Sequence, residues 1–267
     1  MKMIRFTDKS GRVHRGCDFK DGKALLINGD IFGDFSVTDQ RVQVDRLMAP
    51  LLPPAVFCIG LNYTLHAKET GTPLPQYPVV FMKNPAAVTG PDTSIETPAA
   101  CNRGPEVDYE AELAVVIKKK AKNVERENAF DYIFGYACAN DVSARRWQKH
   151  AGGGQWVRGK SFDTFCPLGP WIVTADEVND PNALEIQCLL NHETMQKSST
   201  SDMIFSVSQL VSFLSQSTTL LPGTVILTGT PSGVGFTRTP PVFLKPGDVV
   251  ETRIEAIGSL VNTVSAE

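Results

Sequence analysis

Asp108-Tyr109-Glu110-Ala111-Glu112-Leu113-Ala114-Val115-Val116-Ile117 is the stretch from which the fold follows. Its second half is an unbroken apolar run rich in β-branched residues, which suits a buried strand. Its first half carries two carboxylates at i and i+2, and on a strand such positions point to one face of the sheet. Like charges so close repel unless something positive sits between them. A cation at the head of a core strand satisfies both halves, although a solvated sheet edge accommodates the glutamate pair alone equally well.

Short apolar runs separated by Gly, Pro and Asp predict further strands over 56–60, 79–82, 135–138, 171–174, 184–190, 224–228 and 248–257. Helical spacing is rarer, over 64–70, 129–133 and 142–150. The clearest case is an amphipathic stretch over 207–215 with Val207, Leu210, Val211 and Leu214 on one side. Strands do not alternate regularly with helices, which predicts an α+β fold with a mostly β core rather than a doubly wound parallel sheet. Ahead of this core lie strand-like runs over 3–6 and 24–27 and a segment over 42–47. Pro53-Pro54 then predicts a boundary between a small N-terminal domain, 1–52, and a catalytic domain, 53–267.

The chain has 267 residues, 42% of them hydrophobic, enough for one large domain or a small one fused to a larger, and disorder is not expected. A net charge of -3 with no basic stripe argues against a nucleic-acid partner. Six scattered cysteines without C-x-x-C spacing predict a reducing compartment. No stretch approaches transmembrane length and the first residues run straight into a strand pattern, so no membrane partner and a cytoplasmic location are expected.

Asp141 opens Asp141-Val142-Ser143-Ala144-Arg145-Arg146-Trp147-Gln148, and a helix there puts Asp141, Arg145 and Gln148 on one face, with a plain N-cap role for Asp141 as the alternative. With Glu110 and Glu112, three carboxylates without a nearby His or Cys suit Mg²⁺, or else Mn²⁺ or Ca²⁺. His66 and Glu69 stand i, i+3 on the 64–70 helix, where a carboxylate can orient an imidazole as a general base; a casual surface pair is the alternative. Gly154-Gln155-Trp156-Val157-Arg158-Gly159-Lys160-Ser161 matches the G-x-x-x-x-G-K-S phosphate loop of nucleotide hydrolases. It lacks the strand before and helix after that such a loop requires, so Lys160 is read as a cation for an anionic substrate. Thr228-Gly229-Thr230-Pro231 follows an apolar strand, and its backbone N–H groups and the Thr230 hydroxyl can approach a ligand carboxylate. Trp147, Trp156 and Trp171 are assigned to packing.

Together, Ile59-Gly60-Leu61-Asn62-Tyr63-Thr64-Leu65-His66-Ala67-Lys68-Glu69, Asp108 to Leu113, Asn140 to Arg145, Gly159-Lys160-Ser161-Phe162-Asp163 and Leu227-Thr228-Gly229-Thr230-Pro231 resemble the fumarylacetoacetate hydrolase family. Segments 162–170 and 240–245 look most like its domain-containing protein 2 subgroup. The resemblance implies a mixed β-roll core behind a small N-terminal domain, a homodimer and one catalytic divalent cation. It places Glu110, Glu112 and Asp141 on the metal ligands, His66 and Glu69 on a lid dyad, Lys160 on the active-site lysine, and Arg145, Gln148 and Thr230 on substrate contacts. Fumarylacetoacetate hydrolase proper adds an aspartate from the region before the lid histidine, where this chain has Asn62 and Tyr63, which makes fumarylacetoacetate itself a poor substrate. The implied activity is metal-dependent hydrolysis of C–C bonds in acylpyruvate-type 2-oxo acids through an enolate. The alternative is tautomerisation, isomerisation or decarboxylation of 2-oxo diacids such as oxaloacetate.

Overall fold

The computed structural model describes residues 1–267. Strand Ala111–Ile117 is buried at every position, because it lies inside a twelve-stranded sheet between Ile133–Asn140 and Val225–Leu227. Both neighbours run antiparallel to it, with Ala111 opposite Asn140 and Ala114 opposite Leu227. A fully apolar run is the sequence signature of a strand covered on both faces. On one side the sheet continues through the parallel strand Val56–Gly60 to Val79–Lys83 at the edge, and on the other through Cys166–Thr174. A second, five-stranded sheet (Glu193–Ser199, Glu185–Leu190, Val249–Ile254, Gly258–Ala266, Ile95–Thr97) packs on it. Their apolar faces form one large core, to which the amphipathic helix Val207–Ser215 adds Val207, Leu210, Val211 and Leu214.

This is the expected α+β arrangement, with corrections. The strand predicted over 248–257 is Val249–Ile254, which ends before a turn where Ala256 takes φ +60°, and a further strand, Gly258–Ala266, returns beside it. Segment 42–47 spans the end of Phe35–Gln43 and the start of Arg46–Met48, and the 129–133 helix is a 3₁₀ helix, Arg126–Tyr132. Strands Val13–Lys20 and Glu193–Ser199 escape sequence reading, because their alternation is blurred by polar residues on half-buried faces. Residues 2–48 form antiparallel strands around a small cluster of Ile4, Phe6 and Ala24, and join the larger sheet through Lys2 opposite Val173 and Met3 opposite Ile172. All six cysteines are free thiols, five of them buried.

Candidate active site

Backbone pairing brings the carboxylates together. Where the 111–117 and 133–140 strands begin and end, the Asp141 N–H donates to the Glu110 carbonyl (2.9 Å), and Asn140 Oδ1 accepts the Glu110 N–H (2.9 Å). Glu110, Glu112 and Asp141, all buried, then offer carboxylate oxygens lying within 4.8 Å of one another. Three hard oxygen donors without sulfur or imidazole fit Mg²⁺, Mn²⁺ or Ca²⁺. The predicted helical face of Asp141, Arg145 and Gln148 is corrected. Ser143–Ala144 pair with Val107–Asp108 as a short antiparallel ladder, so the helix starts only at Arg145, with Ala144 at its N-cap. Asp141 therefore lies just past the strand that ends at Asn140 and is neither helical nor a cap, while Arg145 and Gln148 stay neighbours, Nη1 donating to Oε1 at 3.1 Å.

Three cations thread through these acids. Lys160 Nζ donates to Glu110 Oε2 (2.7 Å) and Asp141 Oδ2 (2.6 Å). Arg145 donates from Nε to Asp108 Oδ2 (2.8 Å) and pairs through Nη1 with Glu110 Oε1 (2.6 Å). Lys83 Nζ, wholly shielded from solvent, holds Asp141 Oδ1 (2.5 Å) and the Val142 carbonyl (3.1 Å). Burial disfavours the Glu110 charge, but Lys160 and Arg145 outweigh it and hold this carboxyl well below its ordinary range. Glu112 has no cation in contact, so burial, then repulsion from Asp141 and Glu110, push its carboxyl well up; its one hydrogen bond comes from the Gly229 N–H (2.7 Å). Gly229 sits at φ +99°, where a Cβ would strike Asn62. Burial of Lys160 and Arg145 works against their charge, yet the facing carboxylates prevail and raise both. The cations expected to meet substrate are thus engaged by the protein's own acids.

His66 Nδ1 lies 2.8 Å from Glu69 Oε2 on the short helix Thr64–Glu69, and Glu69 Oε1 accepts from the Gly233 N–H and Thr237 Oγ1, both at 2.9 Å. Burial raises the Glu69 carboxyl, but the hydrogen bonds from His66, Gly233 and Thr237 bring it below its usual value. The G-x-x-x-x-G-K-S segment forms a single turn, Val157–Lys160, after a helix and a loop, so the strand-loop-helix of a phosphate cradle is absent. Its Gly159 has another use: the missing Cβ lets the Lys160 turn lie against the backbone of Gln148. The Thr230 hydroxyl donates to the Ala111 carbonyl (2.9 Å) and accepts from Gln196 Nε2 (2.8 Å), leaving its backbone N–H without a partner in the chain. Asn62 is spent on the backbone of Phe205 and Thr228, and Tyr63 is buried with its hydroxyl unpartnered, so neither adds a carboxylate to the cluster.

His66, Glu69, Glu110, Glu112, Asp141, Arg145, Gln148, Lys160 and Thr230 all line one cavity of about 580 Å³. Trp156, assigned to packing, also lines it, edge-on to Phe81 with ring centroids 5.3 Å apart. Sequence reasoning missed Asp108, Lys83, Lys149 and Phe236. Asp108 was legible as the head of the decisive stretch, and Lys83 as a charge closing the apolar run Val79-Val80-Phe81-Met82 on the Phe81 face.

Comparison with known proteins gives a consistent picture. The fumarylacetoacetate (FAA) hydrolase C-terminal family pattern matches residues 55–265. A fumarylacetoacetate hydrolase domain-containing protein 2 homolog of Dictyostelium discoideum is 48% identical over 240 residues, 86% of this chain and 78% of the relative. A Xenopus laevis relative named as a mitochondrial oxaloacetate tautomerase is 48% identical over 82% of this chain and 68% of its own length. Among solved structures, a 5-carboxymethyl-2-hydroxymuconate delta-isomerase from Mycobacterium smegmatis superposes with a TM-score of 0.87 at 38% identity, covering all of both chains. A fumarylacetoacetate hydrolase from Exiguobacterium antarcticum does so at 0.88 and 37%, again over all of both chains.

Proposed function

Because this chain belongs to the fumarylacetoacetate hydrolase family, we propose that its cavity is the active site of a divalent-metal-dependent enzyme that carries 2-oxo acids through an enolate. The observation that carries this reading is the cluster of Glu110, Glu112 and Asp141 oxygens within 4.8 Å of one another, in the cavity that also holds the His66–Glu69 pair. We assign the metal to those three carboxylates, with Mg²⁺ as the physiological ion. A bound divalent cation supplies Lewis acidity that draws negative charge onto a 2-oxo oxygen.

The chain's own residues do the rest. The free Thr230 N–H and the Gln148 amide, its oxygen already fixed by Arg145, receive the substrate's C1 carboxylate. The charged Lys160 ammonium donates a hydrogen bond to the developing enolate oxygen. The Glu69 carboxylate accepts a hydrogen bond from His66 Nδ1–H and so leaves Nε2 as the base that takes or returns a proton at C3. Arg145 holds Glu110 and Gln148 in place. Tautomerisation of an oxaloacetate-type diacid is completed when a proton passes to the enolate oxygen from Lys160 or water while His66 gives the C3 proton back to solvent, and relatives named oxaloacetate tautomerase support it. Decarboxylation would instead break the C3–C4 bond, releasing the C4 carboxylate as CO₂ and leaving the pyruvate enolate on the same 2-oxo oxygen. The similarity to a named fumarylacetoacetate hydrolase supports a second reading, in which His66 deprotonates water for attack on the C4 carbonyl of an acylpyruvate, the C3–C4 bond breaks to release a carboxylic acid, and the departing pyruvate enolate takes a proton at C3.

A screen of oxaloacetate, acylpyruvates and hydroxymuconate-type diacids with Mg²⁺ or Mn²⁺ tests the proposal. Turnover abolished by EDTA and restored by metal is expected; no turnover, or turnover indifferent to EDTA, refutes it. Division into a 1–52 domain and a 53–267 catalytic domain, and assembly as a homodimer, belong to the same proposal. Exposed Leu74, Tyr77, Val80 and Met82 on and before the edge strand Val79–Lys83 support the dimer, which sedimentation tests. No helix is long and apolar enough to cross a membrane. A cytoplasmic location is proposed against the mitochondrial label of several relatives, and imaging of a C-terminally tagged chain decides.

A further inference from the structure

Four basic side chains line the cavity: His66, Arg145, Lys149 and Lys160. Three are committed to acids of the chain itself, His66 to Glu69, Arg145 to Asp108 and Glu110, and Lys160 to Glu110 and Asp141. Lys149 is different. It stands in the last turn of the helix Arg145–His150, has no carboxylate within ion-pair distance and makes no hydrogen bond. Its Nζ rests 3.7 Å from the centroid of the Phe236 ring, which the Arg145 guanidinium also faces at 4.5 Å. The wall formed by Ile59, Val79, Phe81 and Trp156 contributes no cation. A substrate carboxylate away from the metal cluster therefore finds one uncommitted positive charge.

We propose that Lys149 recognises the distal carboxylate of a dicarboxylic 2-oxo acid, and so selects diacids over monoacids; the assignment rests on the enolate reading of the same cavity. The chemistry fits the setting. Lys149 is exposed at the edge of the cavity, but local desolvation and then the charge of Arg145 still work against its ammonium, and a carboxylate supplies the counter-charge that the protein does not. The Phe236 ring holds the ammonium near the cavity without using its three N–H donors, and the Phe236 N–H is itself anchored on Asp108 (3.1 Å). A 2-oxo acid ending in a methyl group cannot use this donor.

The test is calorimetric titration of the Mg²⁺-loaded protein, wild type and Lys149→Met, with oxaloacetate and with 2-oxobutyrate, which replaces the distal carboxylate by methyl. A charge-assisted hydrogen bond predicts that Lys149→Met weakens oxaloacetate binding about tenfold and 2-oxobutyrate binding less than about twofold, with Lys149→Arg near wild type for both. Equal weakening of both ligands, or of neither, overturns the assignment. Because this reads binding, it stands apart from turnover: a wild-type protein that binds the diacid through Lys149 but converts no 2-oxo acid removes the enzymatic reading and keeps the recognition site. A wild type that turns over both acids, with Lys149→Met unchanged on both, does the opposite.

Discussion

Lys83→Met removes an ammonium and leaves a side chain of similar length and shape, so it isolates the charge. Lys83 and Asp141 are both wholly shielded from solvent, and the Nζ–Oδ1 distance is 2.5 Å. Deleting one partner of such a pair strands the other, at a typical cost of about 3–5 kcal/mol. Asp141 keeps Lys160 on its second oxygen at 2.6 Å, which places the expected loss at the lower end, about 3 kcal/mol. For a chain of this size each kcal/mol moves Tm by about 2–4 °C, so the variant in EDTA should melt about 6–12 °C below wild type. Mg²⁺ at a hundred times its Kd stabilises a folded protein by about 2.7 kcal/mol. The gain should be larger in the variant, where Lys83 no longer opposes the incoming charge, so the gap narrows with metal. Melting followed by circular dichroism, in EDTA and across a Mg²⁺ series, measures both effects. A variant within about 2 °C of wild type in EDTA would refute the view that this buried pair anchors the cluster.

Glu112→Ala should lose the cation, and metal analysis of the purified variant should find well under one equivalent where wild type holds one. His66→Ala should lower kcat about 10²- to 10⁴-fold, the usual contribution of a positioned general base, while metal affinity stays within about twofold; equal activity in both removes His66 from the mechanism. Glu69 has a folded carboxyl below its unfolded value, so its contribution is present above about pH 4.3 and is lost as pH falls through the lower, folded value. Hydrogen exchange in residues 64–70, corrected for intrinsic rate, should therefore accelerate as pH falls below about 4 in wild type, and be high and pH-independent in Glu69→Gln.

The two glutamates of the carboxylate cluster and the His66–Glu69 pair are legible in the sequence because they need only local rules. Glu110 and Glu112 at i, i+2 before an apolar strand share a face in any sheet, and His66 and Glu69 at i, i+3 meet on any helix. Reading Asp141 as helical failed at a place where a non-local contact intervened. The Ser143–Ala144 ladder with Val107–Asp108 outcompeted the helix, and no window around Asp141 contains that partner. Arg145 and Lys160 are legible as candidate cations, yet which acids they pair with follows from tertiary contacts with Asp108, Glu110 and Asp141.

Composition, strand and helix periodicity and the spacing of Glu110 and Glu112 determined an α+β chain with a carboxylate pair at the head of a core strand, because each is set by neighbours a few residues apart. Tertiary structure alone decided how charge is shared inside the cavity. Lys83 comes from an edge strand, Lys160 from an isolated turn and Lys149 from a helix end. Whether each ammonium meets an acid of the chain or stays free for a ligand follows from distances that only the assembled sheet defines.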